Sequence, residues 1–410
     1  MNRTITDALR RAATLTRAGR PVDATRAIQA ALNGSTMPPA QDEPTGRPNG
    51  PPIAGPTILD LTATRVDRGP PAGAAARPTG ESGSDPGFRR RERRFTRPLA
   101  ETIRDLAAAR RVTGSPLSKR NGPPPVPEGA RYVSRSFDCE HGSRSYSLYI
   151  PAAAAGRRPS GLVMMLHGCK QDPDDFATGT GMNAQADATG MLVVYPAQSA
   201  AANPSHCWNW FNAADQRRGG GEAALLAALA GAVATEFDVP PGSVFVAGLS
   251  AGGAMAAILA EAYPDVFKAA GIHSGLPAGA ASDMSSAFAA MAGHANRPAP
   301  PAPTAPTRLI VFHGTADTVV RPANGEAIVG TARHRAQSVD RHERRTAAGR
   351  TYRRIVYRTA GGQAHAEHWI LEGHGHAWSG GRPEGSYTDR DGPDASAEMM
   401  RFFSETAAPR

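Results

Sequence analysis

Between residues 131 and 405 the apolar positions fall into short blocks whose period switches repeatedly between two and a helical repeat. ARYVSRSFDC (130–139) and SRSYSLYIP (143–151) alternate in period two around His141-Gly142, the pattern of an opening antiparallel hairpin. GLVMMLHG (161–168) is a continuous apolar run, as expected of a strand buried on both faces of a parallel sheet. A polar loop, a helix around Asn183–Thr189 and a strand MLVVYP (191–196) follow. GEAALLAALAGAVATEF (221–237) reads as a long helix, and SVFVAG (243–248) as a strand running into an alanine-rich helix. AAGIHSG (269–275) and TRLIVFHG (307–314) are two more strands, separated by a Pro/Ala-rich loop around 297–306. TYRRIVYR (351–358) and AEHWILEG (366–373) close the sheet, and Ala395–Glu405 is the last helix. Strands alternating with helices predict an α/β domain with a mostly parallel, doubly wound sheet over residues 131–406.

The N-terminal third has a different pattern. Apolar positions at helical spacing in residues 4–32, broken by Gly19-Arg20-Pro21, predict a helical hairpin over 1–34. Residues 35–130 form a Pro/Gly/Arg-rich linker, because 17 of the 36 prolines fall between Gly34 and Ala130 and few aromatics accompany them. Such a stretch buries too little apolar surface to fold alone, so most of it is expected to be disordered. It contains a basic run, Phe88–Phe95, and an expected helix near Leu99–Arg111.

Charge changes this picture in one respect. Residues 1–130 carry 21 Lys/Arg against 12 Asp/Glu, and residues 131–410 carry 25 of each, so the net +9 lies wholly in the N-terminal third. The excess suits attachment to an anionic or granule surface, or a solvated arginine-rich tail, and no nucleic-acid partner is expected. No apolar stretch approaches the length of a membrane span. The first 21 residues lack an apolar h-region, which predicts a cytoplasmic protein, with an extracellular one as the alternative. Three cysteines without CxxC spacing predict neither a disulfide framework nor a metal site, and no cofactor is expected.

The chemistry concentrates at Gly248-Leu249-Ser250-Ala251-Gly252, set between a strand and a helix. This is the pattern of a nucleophile elbow, a sharp turn that lifts one serine above a sheet edge. The alternative is a structural glycine-rich turn. A serine nucleophile needs a base, an acid to orient that base, and donors for the developing oxyanion. In chain order the next suitable acid is Asp317, in the loop HGTADTVV after a strand; Asp265 follows the elbow helix too soon and reads as a turn residue. The base lies in Glu372–Gly380, where His374 and His376 compete and spacing does not separate them. His365 and His368 read as surface residues, and His273 and His313 as packing residues at strand ends. The amides of Ala251 and Cys169 are the expected oxyanion donors, Cys169 lying in the turn His167-Gly168-Cys169 after an early strand. The cluster Cys207-Trp208-Asn209-Trp210-Phe211 is either a set of core anchors or a substrate platform, and Cys207 is a candidate partner for Cys169.

Six segments share one resemblance: LHGCKQ (166–171), CWNWF (207–211), GLSAGGAM (248–255), YPDVFKAAGIHSGL (263–276), GHAWSGG (375–381) and SYTDRDGPDAS (386–396). Together they resemble the poly(3-hydroxybutyrate) depolymerase-like esterases, α/β-hydrolases related to feruloyl and acetylxylan esterases. The resemblance implies the α/β-hydrolase fold, Ser250 as nucleophile, His376 as base and Asp317 as acid. It also implies polyesters of short 3-hydroxyalkanoic acids or other carboxylic esters as substrates. His167, Trp208, Trp210 and Trp378 are the candidate substrate contacts. A non-catalytic binding protein on a hydrolase fold is the reading from another class.

Overall fold

The computed structural model describes residues 122–295 and 307–407. The expected hairpin over 1–34, nearly all of the linker, the basic run, the expected helix near 99–111 and the Pro/Ala-rich loop around 297–306 lie outside these residues.

The chain opens with β1 (Arg131–Cys139) and β2 (Gly142–Ile150), an antiparallel hairpin whose register runs from Arg131 opposite Ile150 to Cys139 opposite Gly142. β3 (Gly161–Leu166), β4 (Met191–Pro196) and β5 (Val244–Leu249) are the continuous apolar runs, and every residue in them is buried. β6 (Ala269–His273), β7 (Arg308–Gly314), β8 (Ser338–Arg345), β9 (Thr351–Arg358) and β10 (Ala364–Leu371) complete one ten-stranded sheet. Its order is β1-β2-β4-β3-β5-β6-β7-β10-β9-β8. The six strands from β4 to β10 run parallel, and the antiparallel strands sit at the two edges.

The helices are α1 (Pro173–Thr180), α2 (Met182–Thr189), α3 (Gly221–Glu236), α4 (Ala251–Ala262), α5 (Met284–Met291), α6 (Ala323–Arg335) and α7 (Ala395–Ala407). One core packs α3 and α4 against the sheet, with Leu226, Leu229, Met255, Leu259, Val246 and Ile272 fully or almost fully buried. The opposite face is covered by α2 and α7, through Ala186, Met399, Phe402 and Phe403 against Phe245 and Phe312. This is the α/β-hydrolase fold, a mostly parallel sheet sandwiched between helices. β11 (Trp378–Ser379) and β12 (Thr388–Asp389) form a small separate pair.

Apart from the two-residue strands β11 and β12, four elements were not visible in the apolar pattern. β8 reads SVDRHERR and is exposed along most of its length, so it has no apolar alternation. It forms because β9 offers a free edge, and its charges suit an edge that must not pair with another chain. α1, α5 and α6 are short or glycine-containing, but two carry legible caps. Asp172 caps α1 with Pro173 in the first turn, and Asp283 with Ser286 forms a reciprocal capping box on α5.

β10 also corrects a reading. His368, expected at the surface, is only 3 % exposed. It shares a face with Ala366, and its pairing neighbours Val311 and Ile355 come from the strands on either side. Helix α6 packs over the face on which Ala366 and His368 lie, and that layer keeps water from the ring. The adjacent Glu367 is fully buried, and its carboxylate is held by Arg354, Arg401 and the Trp369 indole at 2.6–3.0 Å. Burial raises its pKa, but the two guanidiniums outweigh burial and keep it below the ordinary carboxylate range. A buried charge satisfied this fully is costly to break from one side.

Two buried histidines make stability depend on pH. Burial lowers His167 and His368 from the ordinary 6.5 to about 4. An unfolded chain takes up these protons near pH 6.5, whereas the fold takes them up only near pH 4. Stability therefore falls as pH drops through that window, by up to about 1.4 kcal/mol per pH unit for each histidine, and these groups leave it flat above pH 6.5. We expect thermal melts to lose stability between pH 7 and 5, and His368→Leu to make that loss shallower. An unchanged slope in the variant would exclude His368 as a source.

Candidate active site

β5 ends at Leu249 and α4 begins at Ala251, leaving Ser250 alone to make the turn. Its backbone sits at φ 57°, ψ −118°, a conformation that L-residues rarely adopt and that marks a strained functional turn. The surrounding packing enforces it. A Cβ on Gly248 would strike the backbone of Gly252, and one on Gly252 would strike the carbonyl of Leu166 at the end of β3. The strain is held by a hydrogen bond from the Ser250 N–H to the His273 carbonyl, 2.9 Å, at the end of β6. The strand-to-helix turn falls at Ser250, between the two glycines, and no larger side chain fits at either of them.

Asp317 and His376 come together. β7 and β10 are parallel neighbours, so the loops leaving their C-terminal ends lie side by side. Three bonds join those loops: Thr315 N–H to the Leu371 carbonyl (2.9 Å), Ala316 N–H to the His374 carbonyl (3.0 Å), and Gly373 N–H to Thr315 Oγ1 (2.9 Å). His376 Nδ1 lies 2.8 Å from Asp317 Oδ2, while Asp317 Oδ1 accepts the amides of Val319 and Val320 at 2.9 Å each. Burial pushes the Asp317 carboxyl up, but the His376 hydrogen bond and charge, with the Val320 amide and His313, outweigh it. The acid is thus held below its usual range and stays ionised. His313 donates from Nε2 to the Val320 carbonyl (2.9 Å), bracing the acid loop as a packing residue.

The structure also separates the two histidines. His374 is buried and its Nδ1 lies 2.9 Å from Asp389 Oδ2, out of line for a hydrogen bond, with no partner at Nε2. His376 is the one on Asp317, and its side chain is 11 % exposed. Asp265 points away and pairs with Arg218 at the surface. No hydrogen bond joins Ser250 to His376 among the described residues. Such contacts are often long in unliganded enzymes and tighten around substrate.

The turn after β3 lies beside Ser250: a Cβ built on Gly168 would sit 3.7 Å from that of the serine. The amides around it are occupied, Gly168 by Gln171 Oε1 (3.0 Å), Lys170 by the Ser205 carbonyl (2.8 Å) and Gln171 by the Gly168 carbonyl (3.3 Å). None of these bonds uses the Cys169 amide. Ala251 is the first residue of α4, where a helix N–H has no acceptor in its own ladder. Gln171 was missed by sequence reasoning. It is buried and anchors the turn, its Nε2 donating to Asp175 Oδ2 (2.9 Å) and to the Ser386 carbonyl and hydroxyl (3.2 Å each).

Cys169 and Cys207 form a disulfide, so the aromatic cluster is tied to this turn. The tryptophans themselves are core residues, which corrects the platform reading. Trp208 and Trp378 are 0 % and 1 % exposed, Trp210 is 6 %, and their faces meet protein rather than solvent. Trp208 donates its indole N–H to the His167 carbonyl (2.9 Å), and Trp378 to Ser396 Oγ (3.1 Å). His167 is buried too, and both ring nitrogens are used by backbone: Nδ1 on the Gly168 carbonyl (2.8 Å) and Nε2 accepting from Gln198 N–H (3.2 Å). It has no nitrogen left for substrate. Among the described residues no group of three His, Cys, Asp or Glu side chains is arranged to hold a metal.

A family model described as "Esterase PHB depolymerase" matches residues 144–354. The chain belongs to the esterase PHB depolymerase family. Among curated relatives, poly(3-hydroxyalkanoate) depolymerase C of Paucimonas lemoignei is 30 % identical over 253 residues, covering 59 % of this chain and 60 % of its own. An acetylxylan esterase of Coprinopsis cinerea is 32 % identical over 161 residues, covering 39 % of this chain and 42 % of its own. The chain therefore spans well under two thirds of the length of these relatives. Among solved structures, an acetyl xylan esterase from Aspergillus awamori aligns with a TM-score of 0.48 at 19 % identity, over 60 % of this chain and 93 % of that one.

The elbow packing generates a direct expectation. In Gly252→Ala the new methyl meets the Leu166 carbonyl, a backbone atom that a rotamer change does not clear. Denaturation should report a loss of about 3 kcal/mol or failure to fold, whereas Gly231→Ala on the half-buried side of α3, where an added Cβ meets nothing, should be neutral or stabilising. A Gly252→Ala variant as stable as wild type would contradict the packing.

Proposed function

We propose that this protein is a serine carboxylic-ester hydrolase working through Ser250, His376 and Asp317. The observation that carries the reading is the 2.8 Å His376–Asp317 contact at the same sheet edge as a strained Ser250 elbow. In this mechanism Ser250 Oγ attacks the ester carbonyl while His376 Nε2 takes its proton, and Asp317 keeps the other ring proton on Nδ1. The oxyanion forms against the amides of Cys169 and Ala251. His376 then returns the proton to the leaving alkoxide, giving an alcohol and an acyl-Ser250. Water, deprotonated by the same imidazole, releases the carboxylic acid and restores the serine.

For substrate, poly- or oligo(3-hydroxybutyrate) and short acyl esters come first, supported by the family match and the Paucimonas relative. A feruloyl- or acetylxylan-type ester is the second reading, supported by the Coprinopsis relative. The net +9 of residues 1–130 supports a role for that segment in attachment to an anionic or granule surface. The Cys169–Cys207 disulfide favours an oxidising compartment over the cytoplasm. Among the described residues no helix is long and apolar enough to cross a membrane.

Hydrolysis of a short p-nitrophenyl ester tests the chemistry. Ser250→Ala should lower kcat by about 10⁴-fold or more, and Asp317→Asn by a similar order, because an amide no longer holds the imidazole in the working tautomer. Equal rates for wild type and Ser250→Ala would end the serine-esterase reading. Release of 3-hydroxybutyrate from amorphous polymer granules tests the substrate: activity on acetylated xylan or methyl ferulate with none on granules reverses the order. A chain starting at Gly129 should keep ester turnover and lose granule binding, and loss of turnover would assign residues 1–128 to the enzyme proper.

A further inference from the structure

His273 is fully buried at the end of β6 and takes no part in the proton transfers above. It nevertheless touches both halves of the proposed machinery. Its backbone carbonyl accepts the Ser250 N–H at 2.9 Å, the bond that pins the elbow. Its ring Nε2 accepts the Ser379 N–H at 3.0 Å, three residues past His376 in the same loop. The ring is sandwiched, stacked on Phe312 (5.7 Å, 7°) and on Trp378 (5.2 Å, 25°). Its Nδ1 lies 3.3 Å from Ser274 Oγ, and Ser274 is itself at φ 48°, held by its own N–H to the Phe312 carbonyl (2.9 Å).

This contact requires a neutral ring. Nε2 accepts an amide proton only if it carries none, which places the single ring proton on Nδ1, facing Ser274 Oγ. Burial, with the nearby His313 and His376 charges, holds the ring pKa well below its ordinary range, so the acceptor is present at working pH. A phenylalanine here would pack as well against Trp378 and Phe312. What histidine adds is one acceptor aimed at the backbone of the loop that carries the base.

We infer that His273 is a positioning residue that sets the separation of Ser250 and His376, its carbonyl fixing the first and its ring the loop of the second. The inference rests on the serine-esterase reading. An ångström of misplacement between nucleophile and base costs on the order of 100-fold in rate, with little effect on substrate binding.

The test compares His273→Phe, which keeps the stack and loses the acceptor, with His273→Gln, which restores an acceptor of similar reach. Both are assayed in the full chain on a soluble p-nitrophenyl ester, with active sites counted by an irreversible organophosphonate. His273→Phe should lower kcat per titrated site by about 10- to 100-fold at unchanged KM. His273→Gln should recover most of the loss. Should His273→Phe be insoluble, His273→Met replaces it as the variant without a nitrogen acceptor. Wild-type kcat per titrated site in the acceptor-free variant, or equal losses for both substitutions, would overturn the inference. Ser250→Ala separates the two claims. If it is inactive while the His273 series is uniform, only the positioning role fails. If it is as active as wild type, the serine-esterase reading fails and the positioning role with it.

Discussion

The close approach of α4 to the ends of β3 and β5 governs the architecture of the candidate site. Gly252 presses against the Leu166 carbonyl so tightly that no side-chain carbon fits, and Gly248 meets Gly252 in the same way. A helix this near the sheet leaves a single residue in which to reverse the chain. Ser250 therefore takes a positive φ that its side chain disfavours, and the cost is offset by two adjoining cores and the His273 carbonyl. The same contact sets the β3 turn next to the serine, so candidate nucleophile and candidate oxyanion donors are positioned by one packing event.

Around that contact the loops are fixed by polar groups rather than by apolar burial. The acid and base loops are joined backbone to backbone at adjacent strand ends. The aromatic loop is held by the disulfide and by a buried network centred on Glu222. That carboxylate accepts the Asn209 amide (2.7 Å) and side chain (3.2 Å), lies 3.4 Å from Arg144, and is bridged by Gln198. Arg144 in turn lies over the Trp208 ring at 5.6 Å. Burial raises the Glu222 pKa, while the Asn209 and Gln198 hydrogen bonds and the Arg144 charge pull it back. Such a network is stabilising only when complete, which ties the geometry of the turn after β3 to residues spread from Arg144 to Glu222.

Much of this was legible beforehand, because its signals are local. Continuous apolar runs marked β3, β4 and β5, and the glycine pair flanking Ser250 marked the elbow, since both follow from neighbours in the chain. β8 was not legible, because its charged sequence becomes a strand only when β9 presents an edge. His368 looked exposed by residue type and proved buried, because helix α6 packs over its face of β10.

The sequence by itself determined the order of most strands and helices, the glycine-flanked turn at Ser250, and a short set of candidate acids and bases. Those are properties of spacing and residue type. Spacing could not separate His374 from His376, which lie two positions apart, and the tertiary structure shows that the His376 ring is the one that meets Asp317 across the β7–β10 edge. It also decided that Trp208, Trp210 and Trp378 fill the core, and that His273 spans two loops more than a hundred residues apart. Each of these depends on what the folded chain places opposite a side chain, and one-dimensional spacing carries no information about that.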